Sequence, residues 1–236
     1  MIVGVQPPAR AYFSMAYDEV NHNIVLYGGK SKDGYLDDTW LWDGEVWVEA
    51  NPTTPPPARG FHHLLYDPQR QKVVLYGGYD NDYLNDGWEW DGGEWQPVHF
   101  ESFTPHATCN LMFYDQTLDR IVAQLSWRGT WYWKGNSWVK PALSVDPNSY
   151  CFPAAYDPQN QYAAIFVGFR NGQHVHETWI YKNMNWWSLD LTFEPTKRGG
   201  HTTFYDPVRK KVIIFGGFDG KNCLNDMWEL VLFDTE

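Results

Sequence analysis

Three arginines open similar stretches of this 236-residue chain: Arg10 and Arg59, each closing a "PPAR", and Arg198 in "TKRGG". A guanidinium is a planar fork that matches a carboxylate, so a recurring loop arginine is a candidate anion-binding group. The competing expectation is that each one only hydrogen-bonds nearby carbonyls. "SWRG" places Trp127 beside Arg128, an amphipathic ring next to a cation, suited to stacking on a sugar or anchoring a peptide. His174 and His176 alternate and are followed by Glu177, as metal ligands on an extended segment would be, but spacing supplies no third ligand. The acidic loops "DNDYLND" and "DGKNCLND" lack the length and terminal glutamate of a helix-loop-helix calcium site. His62 and His201 are candidate acid–base groups, though their recurrence at one position favours a structural role. No nucleophile elbow, phosphate-binding loop or dinucleotide fingerprint is present, so the sequence signals no cofactor and no catalytic set.

The elements that position these residues recur. Tyr-Asp closes an apolar run at Tyr17, Tyr66, Tyr114, Tyr156 and Tyr205, spaced by 49, 48, 42 and 49 residues. A second apolar run ends eleven residues later, in Gly28-Gly29, Gly77-Gly78, Leu125-Ser126, Val167-Gly168 and Gly216-Gly217. A tryptophan then follows, at Trp40, Trp88, Trp131, Trp179 and Trp228, and in the first four repeats another stands seven residues on. Period-two runs joined by Asp-Pro and Asp-Gly turns predict four short strands per repeat. Four strands every 42 to 49 residues predict an all-β propeller with one sheet per blade.

The "PPAR" lead, the di-glycine and the later tryptophan resemble the kelch repeat, including the kelch motifs of the central domain of galactose oxidase. The resemblance covers nearly the whole chain, with repeats near 6–51, 55–99, 103–142, 145–190 and 194–233 in a single domain. Five copies predict five four-stranded blades. Because an open ring would leave strand edges unpaired, Ile2–Val5 are expected to supply the outer strand of the last blade. The alternatives are a piece of a longer propeller, since kelch propellers more often have six or seven blades, or closure by oligomerisation. Twelve of the fourteen tryptophans fall in register and are expected to pack one sheet against the next. Each such ring buries roughly 150–250 Å².

In kelch propellers the binding face is built from the loop leading into each first strand and the loop between the second and third. That implies Arg10, Arg59 and Arg198, with Ala107 and Ser149 replacing the arginine in repeats three and four. It also implies Tyr35, Tyr83, Arg128 and His174 on the same rim. The third repeat has the shortest second loop, which predicts a notch lined by Trp127. Some kelch propellers handle sugars, among them a copper-radical oxidase and a sialic acid epimerase, but the oxidase's residue set cannot be assembled by motif here.

Composition narrows the partners. A net charge of −11 with no basic run repels phosphate backbones, so nucleic acid is an unsuited partner. No apolar run approaches the roughly 20 residues that span a bilayer, so no membrane association is expected. "MIVGVQPPAR" shows no charged segment followed by a long apolar one, so no signal peptide is read, and the compartment stays open. Three cysteines without a CxxC signal neither a disulfide framework nor a zinc knuckle. The expectation is a non-catalytic binding module holding a protein or peptide partner on the loop face. The alternative is a carbohydrate-binding or carbohydrate-active protein using the same face.

Overall fold

The structure, a computed structural model, describes residues 5–106, 111–125, 128–143, 145–147, 153–170 and 173–232, with only the backbone at 167–170 and 173–176. Its described strands form five antiparallel sheets and no helix. The first sheet is β1 (Ser14–Asp18), β2 (Asn23–Lys30), β3 (Tyr35–Trp42) and β4 (Trp47–Ala50). The second is β5 (His63–Asp67), β6 (Lys72–Tyr79), β7 (Tyr83–Trp90) and β8 (Trp95–Pro97), and the third β9 (Leu111–Asp115), β10 (Arg120–Leu125), β11 (Gly129–Trp133) and β12 (Trp138–Val139). The fourth is β13 (Ala154–Asp157), β14 (Tyr162–Arg170), β15 (Gln173–Lys182) and β16 (Asn185–Leu189). The fifth has three described strands: β17 (Thr202–Asp206), β18 (Lys211–Phe218) and β19 (Cys223–Leu230). Every sheet is a meander whose neighbours in sequence are neighbours in space. This is a five-bladed β-propeller.

The expected closing strand, Ile2–Val5, lies mostly outside the described residues. Val5 is described; it belongs to no strand and is 70 % exposed. The chain divides into two compact units, Met1–Cys109 with Trp133–Val139, and Asn110–Tyr132 with Lys140–Glu236.

The Tyr-Asp signature is a turn device. In all five sheets the aspartate Oδ1 accepts two backbone N–H groups of the next residues: Asp18 from Val20 and Asn21, Asp67 from Gln69 and Arg70, Asp115 from Thr117 and Leu118, Asp157 from Gln159 and Asn160, Asp206 from Val208 and Arg209. Such Asx turns replace the ladder bonds lost where strand one doubles back into strand two. A left-handed residue completes each turn, at His22, Gln71, Asp119, Gln161 and Lys210.

Indoles fill the seams between sheets. In unit one Trp95 Nε1 donates to Thr39 Oγ1 of the preceding sheet at 3.0 Å, with its ring 5.4 Å from that of Tyr27. Trp138 packs 4.8 Å from Tyr76. In unit two Trp186 Nε1 donates to Thr130 Oγ1 at 2.8 Å. Trp40, Trp90, Trp95, Trp133, Trp138 and Trp186 are all buried. Burying one such ring contributes up to about 4–6 kcal/mol before entropy is counted. Trp187, one of the two tryptophans outside the register, is exposed.

Candidate binding site

The three arginines are built into their own blades. Arg59 donates through Nη1 and Nη2 to the two carboxylate oxygens of Asp86, at 2.6 and 2.7 Å. Its Nη1 also reaches the Gly77 carbonyl at 3.0 Å, and its Nε the Pro57 carbonyl at 2.9 Å. Arg10 repeats this with Asp38, Gly28 and Pro8, and Arg198 with Asp226, Gly216 and Thr196. In each case the aspartate also accepts the indole N–H two residues on, from Trp40, Trp88 and Trp228 at 2.7 Å. Burial alone would raise the Asp86 carboxyl; the hydrogen bond and charge of Arg59 and the bond from Trp88 outweigh it and hold it below the usual range. The bond from Arg198 depresses Asp226 in the same way, against a burial effect that opposes it.

The di-glycine completes the clamp. At each one the ladder slips by a residue, between Tyr27 and Gly29, Tyr76 and Gly78, and Phe215 and Gly217. This bulge needs left-handed backbone at its first glycine, with φ of 56°, 65° and 67°. It presents that glycine's carbonyl to the guanidinium. The second glycine admits the lead-in segment: a Cβ on Gly78 would sit 2.9 Å from the Gly60 carbonyl and 3.0 Å from His62 Cβ. Gly217 meets Gly199 and His201 in the same way, and Gly29 meets Ala11 and Phe13. His62 and His201 are therefore the counterparts of Phe13, packing rings over a glycine bulge. Burial first, then the nearby arginine charge, pulls His62 down to about 3 and His201 to about 4, so both are neutral at neutral pH.

Aromatic rings cluster beside the engaged arginines of unit one. Tyr12 stacks on Phe61, ring centroids 4.0 Å apart and 21° from parallel. Tyr79 packs edge-on against both Tyr35, at 6.2 Å, and Tyr83, at 5.4 Å. Lys30 Nζ lies 4.8 Å from the Tyr35 ring centre. Gly60 connects the two groups: a Cβ there would lie 3.3 Å from both Tyr12 Cβ and Tyr35 Cε1. Tyr12 is 54 % and Tyr83 59 % exposed. Tyr12 and Phe61 hold left-handed backbone, with φ of 59° and 58°, at the position where Gly200 stands in the fifth sheet. An aromatic residue there costs on the order of 1 kcal/mol that glycine would not.

Tyr35 and Tyr83 are thus brought together by way of Tyr79, as the first residues of β3 and β7 rather than loop residues. Tyr12, Phe61 and Tyr79 were not singled out in the sequence; the pointer was their place two residues after each arginine or directly after a di-glycine. Arg128 is exposed, and its carbonyl accepts the Trp131 indole N–H at 3.1 Å. Trp127, Ala107, Ser149, Cys109 and Cys151 lie outside the described residues, as do the side chains of His174 and His176. His174 sits in β15, paired with Phe169. The loop expected to form a notch falls at residues 126–127, outside the described residues; the strands on either side of it, β10 and β11, are six and five residues long against eight and eight at β6 and β7. Among the described residues, no three His, Cys, Asp or Glu side chains cluster as metal ligands, and no helix is long and apolar enough to cross a membrane.

The fold and this geometry define a β-propeller with an aromatic loop face on unit one. No protein-family model matches the chain, and neither does any curated protein.

Proposed function

We propose that the chain is a non-catalytic binding module of the kelch type, and that it holds a peptide segment of another protein on the face formed by Tyr12, Tyr35, Phe61, Tyr79 and Tyr83. The supporting observation is the left-handed Tyr12–Phe61 stack. Two aromatic side chains stand where glycine would relieve the backbone, and one of them faces solvent. Strain kept beside exposed aromatic area is characteristic of recognition surfaces. Asp33, Asp37, Asp80 and Asp82 flank the rings in sequence, and the chain is acidic overall. A segment carrying cationic or aromatic side chains suits this face best. Arg10, Arg59 and Arg198 contribute by fixing the lead-in loops; Arg128, Trp127 and His174 extend the face in this reading.

A random-peptide display library and a glycan array, each probed with the intact chain and with Tyr83→Ala, test the proposal. Peptide enrichment that Tyr83→Ala abolishes supports it. Saturable glycan binding without peptide enrichment would transfer the face to the carbohydrate reading.

A further inference from the structure

Lys30 closes β2 directly opposite Tyr35, the first residue of β3. At the same register position the second sheet sets Tyr79 against Tyr83, ring to ring. In the first sheet a cation takes the place of the second ring: Lys30 Nζ stands 4.8 Å from the Tyr35 ring centre. The two sheets together show what a tyrosine at the head of strand three accepts. It takes an aromatic edge or a positive charge, as the negative face of its π-system dictates. The ring does not depend on the lysine for its position. Gly60 abuts its edge, where a Cβ would lie 3.3 Å from Tyr35 Cε1, and Tyr79 packs against it at 6.2 Å. The Lys30 backbone is fixed as well, donating to the Ala11 carbonyl at 2.7 Å and accepting from the Ala11 N–H at 2.9 Å. Lys30 is exposed, so breaking the contact moves only a flexible stem and its ammonium. An exposed ammonium–ring contact gains little more than the rotamer freedom it costs. Asp33 and Asp37, both exposed, add negative charge nearby in sequence, and Asp33 pairs with Lys32 at 3.6 Å.

We propose that the Tyr35 ring is a subsite for an arginine side chain of the partner segment, and that Lys30 is its resident occupant, displaced as the partner binds. This subsite rests on the loop-face reading and specifies which partner side chain that face takes. A guanidinium displaces the lysine because it is planar, more weakly hydrated than an ammonium, and stacks flat on a ring. The acidic residues around the ring attract the incoming charge. Lys30, once released, extends into solvent without disturbing the strand pair beneath it.

The probe is an acetylated peptide of Gly-Arg repeats, with a twin carrying neutral citrulline. Each is titrated into the intact chain and followed by the chain's backbone amide resonances around residues 30 and 35. The expected result is saturable binding of the arginine peptide, with the citrulline twin at least about tenfold weaker. Lys30→Met keeps the stem and vacates the ring, and should strengthen the arginine peptide about threefold. Lys32→Met makes the same change in net charge away from the ring and should leave affinity nearly unchanged. Adding Tyr35→Leu to Lys30→Met should erase the gain. The proposal is overturned by unchanged or lower affinity in Lys30→Met, by an equal gain in Lys32→Met, by equal affinity of the citrulline twin, or by no saturable binding. Tyr83→Ala separates the two readings. Display-selected peptides that need Tyr83 but gain nothing from Lys30→Met keep the face and overturn the subsite. A gain in Lys30→Met that Tyr83→Ala leaves intact supports the seat on Tyr35 and removes the wider face.

Discussion

Arg59 and Asp86 meet fork to fork, and the two ends differ in exposure: the arginine side chain is 0 % exposed and the aspartate 38 %. Removing the acid strands a buried cation, whereas removing both leaves an apolar gap. Asp86→Ala is expected to destabilise the chain by about 3 kcal/mol, near the lower end for a broken buried pair because Asp86 is partly hydrated. The double variant Arg59→Met with Asp86→Ala should lose less than Asp86→Ala alone. Urea unfolding of the three proteins checks the order.

Trp186 and Thr130 couple two sheets of unit two through one hydrogen bond. Trp186→Phe and Thr130→Val should each destabilise, and a double-mutant cycle should return a coupling of about 1 kcal/mol. Thr130 also donates to Gln124 Oε1 at 2.7 Å, and Gln124 Nε2 donates to the Pro147 carbonyl at 2.7 Å. The threonine variant should therefore cost more than the tryptophan variant's lost bond alone.

His62 and His201 make stability depend on pH. The unfolded chain protonates each near pH 6.5, while the folded chain resists until about pH 3 at His62 and about 4 at His201. Across that window the unfolded state holds more protons. Stability is therefore fully present above pH 6.5 and declines as pH falls, by about 1.4 kcal/mol per pH unit for each histidine. His62→Phe, which copies Phe13, should remove one proton's worth of slope between pH 6 and 4.5. The depressed carboxyls of Asp38, Asp86 and Asp226 act only at lower pH, below the ordinary carboxylate range. Denaturant titrations at a series of pH values measure the slope.

The backbone at Tyr12 gives a further expectation. Tyr12→Gly releases left-handed strain but forfeits the stack on Phe61, so its melting temperature should stay close to that of the parent while peptide binding falls. Calorimetry paired with a binding assay on the same preparation checks both halves.

Much of the fold was legible because its signals are local and repeated. Tyr-Asp marks an Asx turn, di-glycine marks a bulge, and a tryptophan at fixed spacing marks a seam, each requiring a specific residue type for a geometric reason. The arginine motif by itself is compatible with an anion ligand or a loop tie, because the carboxylate that engages it lies 27 or 28 residues further along the chain. Asp38, Asp86 and Asp226 stand two residues before a tryptophan in just those repeats that carry the arginine. Repeats three and four lack the arginine and have Gly129 and Glu177 there instead. That joint presence was visible in the chain, but its meaning required knowing that the bulge turns strand three's aspartate toward the lead-in loop. The aromatic face was harder still. Tyr12 and Phe61 meet only because both adopt left-handed backbone, which a propensity reading assigns to glycine or asparagine.

In the proposed binding module the labour on unit one is divided: arginines hold the loops, and exposed rings hold the partner. This division is tested most directly by the affinity of a display-selected peptide for Tyr83→Ala and for Asp86→Asn, both measured under conditions where the variants are folded. The expected result is at least about a tenfold loss for Tyr83→Ala at unchanged melting temperature, and a smaller loss for Asp86→Asn despite its lower stability. Full affinity in Tyr83→Ala together with abolished binding in folded Asp86→Asn would contradict it.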